Sequence, residues 1–279
     1  CGSNDSGQLG CADSDENQMT DDDDDNGSSN SSLVCLKTAN KTPAFVKDVA
    51  CGQEHTVVLL QDSSAMAFGK SDRGCCGTLN NRASNHLHSD IVRIWAGSYV
   101  TFLLSGDGTL FACGDNSYGQ LGLPVEQDER SRTNYISVVT PVTTTPYFES
   151  KDIDDIKIGG STTHFVLKNG DIYVVGGNRC GQSMTNLEVD NIHQFTKVEP
   201  TEPILQQLLM TSSKSANTNH AYISTGDCYS IMYFVDEQKQ TSAQQWFPML
   251  KVAGTHFSDV EIVCQGDGTE PEAKRKKLE

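Results

Sequence analysis

Gly114-Asp115-Asn116-Ser117-Tyr118-Gly119-Gln120-Leu121-Gly122 decides the fold, because Gly2-Ser3-Asn4-Asp5-Ser6-Gly7-Gln8-Leu9-Gly10 matches it almost residue for residue. The same Gly-x4-Gly-x2-Gly spacing returns at Gly69, Gly74 and Gly77, and in part at Gly176 and Gly181. Self-similarity of this kind marks a chain built from repeated supersecondary units.

Working outward, a second block precedes each later copy. It reads Val49-Ala50-Cys51-Gly52-Gln53-Glu54-His55-Thr56, then Ile94-Trp95-Ala96-Gly97-Ser98-Tyr99-Val100-Thr101, then Ile156-Lys157-Ile158-Gly159-Gly160. Gly52 and Gly69 stand 17 residues apart, as do Gly97 and Gly114. Between the latter pair lie Thr101-Phe102-Leu103-Leu104, a turn at Gly106-Asp107-Gly108, and Thr109-Leu110-Phe111-Ala112-Cys113, which is strand, tight turn, strand. Asp107-Gly108 and Asn169-Gly170 supply the positive φ values of two-residue hairpin turns. Neighbouring units start 45 and then about 62 residues apart, too long for a solenoid coil and suited to a propeller blade. Two further units look degraded: His220 to Ile231 keeps the hairpin, and Val252-Ala253-Gly254-Thr255-His256-Phe257 opens a last unit. Only Pro203 to Met210 has the spacing for about two turns of helix.

The 279 residues carry a formal charge of −16, half of it between Cys11 and Asn30, where Asp13, Asp15, Glu16 and Asp21 to Asp25 occur without Lys or Arg. Such a segment repels itself and cannot bury enough apolar area to offset its chain entropy, so a solvated loop is expected, with attraction of a basic partner as the functional alternative. Expected boundaries are 1–10 for the end of a blade, 11–44 for an acidic disordered insertion, 45–265 for propeller repeats and 266–279 for a disordered tail. In the tail, Lys274-Arg275-Lys276-Lys277 is similar to a short nuclear-import tag. The longest aliphatic run, Val57 to Leu60, falls far short of the ~20 residues of a membrane helix. Because the chain opens at Cys1 inside a repeat block, it reads as a piece of a longer polypeptide. The ten cysteines are scattered without any Cys-x-x-Cys, which argues for reduced thiols rather than zinc or a disulfide framework.

The blocks Ala50 to Thr56 and Gly-x-Asn-x-x-Gly-Gln-Leu-Gly, from Gly2 and from Gly114, resemble the regulator of chromosome condensation repeat. The resemblance spans roughly 1–10 and 45–264. It implies an all-β, seven-bladed β-propeller of which about five blades are present, with closure of a five-bladed ring by the first and last halves as the rival geometry. Within the family the chain is more similar to members that exchange guanine nucleotide on the GTPase Ran, on Gly97-Ser98-Tyr99-Val100-Thr101-Phe102, the order of intact and degraded units, and the ending at Val252 to His256.

That resemblance implies a Ran-like small GTPase as partner, docked by loops that lead into the blades at Glu54, His55, Ser98, Tyr99, Thr163, His164 and His256. Glu54 falls where the family has a partner-facing carboxylate and His256 where it has a functional His; for His55 a packing role weighs more, as for any recurrent repeat residue. His164 falls a residue or two out of register, because the block from Gly159 to Thr163 reads as the longer one. Nuclear location, chromatin association and histones as further partners are implied by the family. The family's exchange wedge would fall near 2–30, where this sequence has its Asp-rich stretch.

Bond chemistry is not expected. The Gly-x4-Gly copies are followed by Gln8, Cys75, Gln120 and Gln182 rather than Lys-Ser/Thr, so they are not phosphate loops, and no nucleophile elbow or His-Glu-x-x-His occurs. No catalytic residue, metal, cofactor, membrane or small-molecule ligand is expected. Exchange needs only contacts that favour the empty GTPase over the loaded one. The alternatives are an interaction scaffold that has lost exchange, and a regulatory module of a larger ligase or kinase.

Overall fold

Val100-Thr101-Phe102-Leu103-Leu104-Ser105 is buried at every position, as is Thr162 to Leu167 one unit later. A strand buried on both faces needs a neighbour on each, and the fold supplies one. The computed structural model describes residues 2–3, 6–9, 29–30, 45–79, 85–125, 134–185, 187–199, 219–226, 229–236 and 251–253. Among them, three antiparallel four-stranded sheets follow one another. Blade I comprises β3 (Val46–Cys51), β4 (His55–Leu60), β5 (Ala65–Gly69) and β6 (Asn85–His88). Blade II comprises β7 (Ile91–Gly97), β8 (Val100–Ser105), β9 (Leu110–Asp115) and β10 (Tyr135–Pro141). Blade III comprises β11 (Ile153–Ile158), β12 (Thr162–Leu167), β13 (Ile172–Gly177) and β14 (Asn191–Lys197). A three-stranded sheet, blade IV, holds β15 (Asn219–Thr225), β16 (Ser230–Asp236) and β17 (Lys251–Ala253), and a two-stranded sheet pairs β1 (Gly2–Ser3) with β2 (Ser29–Asn30). Phe102 and Tyr173 both lie in strands.

The sheets fan about a common axis. The first strands β3, β7, β11 and β15 together line one cavity of about 560 Å3, bounded by 48–51, 93–96, 155–158 and 223–225. Apolar cores fill the seams between blades. Between blades II and III, Phe102, Phe148, Phe165 and Phe195 pack ring against ring, Phe102 meeting Phe165 edge-on at 5.5 Å. Val57, Leu59, Ala65 and Ala67 of blade I receive Ile91 and Ile94 of blade II, and Ile223 of blade IV joins Val166 and Val174 of blade III. At the other end, Val46 and Val49 are 37% and 52% exposed, although Ile91 and Ile94 in the same slots of blade II are at 0% and 4%.

Three expectations change. The hairpin turns are three-residue loops: Gly108 N–H donates to Ser105 O, and Gly108 (φ +88°) and Gly170 (φ +85°) alone take the left-handed position, without Asp107 or Asn169. His220 to Ile231 does form a hairpin, but Gly226 stands in the loop between the first and second strands of its blade rather than in the Asp-Gly type turn between the second and third. Gly226 N–H donates to Tyr229 O as Gly52 N–H does to His55 O, and Thr225 pairs with Ser230 as Cys51 does with Thr56. Gly226 therefore opens the loop between the first and second strands of blade IV. Accordingly Lys251–Ala253 pairs with β16 as the third strand of that blade, and does not open a further unit. Ser29–Asn30, inside the expected acidic insertion, pairs with Gly2–Ser3; the rest of 11–44, the helix expected at 203–210, His256 and the tail 266–279 lie outside the described residues. β1 and β17 belong to separate sheets.

Candidate docking face

Gly52, Gly97 and Gly159 place the loops that form this face. A Cβ on Gly52 would collide with the His55 ring and lie 2.8 Å from Ser98 O of the next blade; one on Gly97 would meet Ile158, and one on Gly159 would meet Gly226 O. Glycine recurs here because blades touch here. Gln53 N–H donates to Ser98 O across the seam at 2.9 Å, tying the blade I loop to that of blade II. At the far end of each hairpin the chain crosses back under the same loop. Gly114, at φ +121°, lets Asp115 N–H reach Tyr99 O at 3.0 Å, and Lys70 N–H and Gly177 N–H reach Glu54 O and Ser161 O likewise. Three successive blades thus present 52–54, 97–99 and 159–161 on one side, backed by the residues after β5, β9 and β13.

Charged and aromatic groups cluster at the seam of blades I and II. Lys70 Nζ lies 2.8 Å from Glu54 Oε2 and 3.6 Å from Asp72 Oδ2, and these carboxylates hold its pKa above the ordinary lysine value. Arg73, from the same loop, crosses the seam: its Nη1 donates to Asp115 Oδ2 at 2.9 Å, and its guanidinium lies 3.9 Å from the Tyr99 ring centre and 6.0 Å from that of Tyr135. Burial opposes the Arg73 charge, but Asp115 outweighs it and raises the pKa. Tyr135 and Tyr118 are exposed, Glu54, Ser98 and Tyr99 half-buried.

The site residues expected from sequence therefore part company. Glu54, Ser98 and Tyr99 stand together on this face. His55, Thr163 and His164 are buried at 2%, 0% and 0% exposure and lie inside seams. His55 Nε2–H donates to Thr101 Oγ1 at 3.0 Å, and that hydroxyl donates to Cys75 O at 2.8 Å, so blade I is bonded through blade II back to itself. Burial lowers the His55 pKa to about 4. His164 is not its equivalent. Pairing of His55, Val100 and Thr162 with Gly69, Gly114 and Gly176 shows that the three loops have one length, and His164 falls two residues further along, in the slot of Val57 and Phe102. Both its ring nitrogens lack a hydrogen-bond partner, and burial lowers its pKa to about 4. Thr163 takes the slot of Thr101, but Val100 stands where His55 would donate, and Thr163 Oγ1 has no partner. His256 lies outside the described residues.

Sequence reasoning missed Lys70 and Arg73. The signal was there: Gly69-Lys70-Ser71-Asp72-Arg73-Gly74 is the one copy of its block with basic residues at both positions, and Asp115 is the opposite charge in the next copy. Among the described residues no group of three or more His, Cys, Asp or Glu has metal-binding geometry. Cys51, Cys75, Cys76, Cys113 and Cys180 are unbridged, and no helix there is long and apolar enough to cross a membrane.

Comparison with known proteins agrees with the geometry. The regulator of chromosome condensation (RCC1) repeat matches residues 46–75, 91–120 and 107–166. The chain is 35% identical over 101 residues to the human X-linked retinitis pigmentosa GTPase regulator, covering 33% of this chain and 10% of that protein. It is 26% identical over 145 residues to the human probable E3 ubiquitin-protein ligase HERC3 (49% and 13%), and 28% identical over 150 residues to the mouse serine/threonine-protein kinase Nek9 (49% and 15%). The chain thus spans only about a tenth to a seventh of these relatives. In fold it is similar to Prp20p from Saccharomyces cerevisiae, described with its binding properties to Gsp1p and histones, at a TM-score of 0.53 and 19% identity over 68% of this chain and 44% of that one. Human WBSCR16 gives a TM-score of 0.51 and 16% identity over 68% and 47%. Residues 46–75 and 91–166 thus match regulator of chromosome condensation repeats, and the sheets they form have the β-propeller fold.

Proposed function

We propose that the chain docks a Ran-like small GTPase on the face that carries Glu54, Ser98 and Tyr99, and promotes release of its guanine nucleotide. The observation that supports this most is the alignment of three equal-length loops from consecutive blades on one side, with a half-buried carboxylate and a Tyr–Arg stack at the seam of the first two. Tyr and Arg are the anchors on which protein interfaces concentrate their energy. Exchange requires that the empty GTPase be bound more tightly than the loaded one; a five-decade weakening of nucleotide corresponds to about 7 kcal/mol of differential contact. The fold likeness to Prp20p, with its Gsp1p and histone binding, supports the same reading, and with it a nuclear location and a basic chromatin partner. His55, Thr163 and His164 serve the seams in this reading.

The test is release of a fluorescent guanine nucleotide from a purified Ran-like GTPase. Acceleration by the intact protein is expected, and its loss in Glu54→Ala and Tyr99→Ala with folding unchanged. Unaltered release by the intact protein refutes exchange. A second reading, an interaction module within a larger protein, is favoured by the occurrence of matching segments in a ubiquitin ligase and a kinase of which this chain covers so little. Binding of the GTPase without any change in release would support it.

A further inference from the structure

Two cations already sit on the docking face, and both come from the chain itself. Arg73 is fixed by Asp115 and by the Tyr99 and Tyr135 rings across the seam. Lys70 is held differently. It is half-exposed, its ammonium lies between Glu54 and Asp72, and although Nζ is 2.8 Å from Glu54 Oε2, that oxygen is buried and has no partner in hydrogen-bond geometry. A cation from a partner can reach that oxygen only by displacing the Lys70 ammonium. In the next blade the residue equivalent to Lys70 is Asp115, so the ammonium is a feature of this seam alone among the described copies.

We infer that the seam of blades I and II is a docking surface for a Lys- or Arg-rich protein segment, and that Lys70 is an intramolecular competitor for the place its cation takes between Glu54 and Asp72. Charge complementarity commits the occupant: at this surface three carboxylates and two tyrosine rings face only two cations, both the chain's own. Glu54 enters both this inference and the proposed GTPase contact, so the inference deepens that reading by naming what the partner brings to it. An exposed ion pair is weak, which is what a displaceable plug requires.

The experiment is a fluorescence titration of the intact protein with octalysine peptide at low and at physiological salt, repeated with nucleotide-free Ran-like GTPase. Lys70→Met should bind the peptide about two- to fivefold more tightly than wild type at low salt, as expected for loss of one exposed competing charge. Lys70→Arg should behave as wild type, and adding Glu54→Gln and Asp72→Asn to Lys70→Met should abolish the gain. Should Lys70→Met melt early, Lys70→Gln replaces it. Equal or weaker binding by Lys70→Met overturns the inference, as does a gain that survives loss of both carboxylates. If the GTPase fails to bind wild type while the peptide series behaves as stated, the proposed function falls and this inference stands. If the GTPase binds and Lys70 is indifferent in both titrations, only this inference falls.

Discussion

Thr101 and Thr163 occupy one slot in successive blades, both fully buried, and replacing each by Val should give opposite results. Thr101 Oγ1 accepts from His55 Nε2–H and donates to Cys75 O. In Thr101→Val the Cys75 carbonyl keeps the weak Cys113 Sγ donor at 3.5 Å, so the cost falls on His55, whose Nδ1 is already without a partner. One newly orphaned buried N–H costs about 1–3 kcal/mol, and about 2 kcal/mol is expected. Thr163 Oγ1 makes no hydrogen bond, because Val100 stands where the His would be. Its replacement by a methyl removes a desolvated hydroxyl, and the result should lie between neutral and about 1 kcal/mol of stabilisation. Urea unfolding of the two variants beside wild type measures the gap, read from midpoints at unchanged slope. Values within about 0.5 kcal/mol of each other, or Thr163→Val the costlier, would refute the seam-lock reasoning.

Other expectations follow from the same geometry. His55 and His164 are held neutral by burial with pKa about 4 against an ordinary value near 6.5, so the unfolded chain binds more protons between those limits. Stability is therefore full above about pH 6.5, and at pH 5 it should have fallen by about 2 kcal/mol for each histidine, with no further loss from them below pH 4; a pH series of urea midpoints with and without His164→Phe should show half of this slope vanish. Gly114→Ala drives a Cβ into Tyr99 O at φ +121°, and should cost more than about 2 kcal/mol and weaken whatever binds Tyr99, while Gly181→Ala, with open space around it, should cost only the backbone strain of φ +71°. Arg73→Ala should lower stability modestly, by about 1 kcal/mol, and leave an unpaired Asp115 at the seam; a melt that matches wild type would show the stack to be ornamental.

The radial stacking was legible because its cause is periodic: a glycine is required wherever the first-strand loop touches the next blade, and again where the hairpin returns beneath that loop, so spacing alone reveals the unit. Phase was harder. Gly226-Asp227 carries the same residue types as a hairpin turn, and the strand pairing together with the approach of Gly226 O to Gly159 shows that Gly226 is a first-strand glycine. His164 misled for a related reason, since a His near a Gly block suggests a recurring role, yet it lies five residues after Gly159 and His55 only three after Gly52. The loops before each second strand could be read from motif, whereas the pairing of Arg73 with Asp115 and Tyr99 arises only when two consecutive blades are brought side by side.

Hydrogen–deuterium exchange of the intact protein with and without nucleotide-free Ran-like GTPase tests the central claim most directly. The account expects new protection at 52–54, 97–99 and 159–161, with no change at the opposite hairpin turns 106–108 and 168–170. Protection of those turns, or of the outer strands alone, would contradict it.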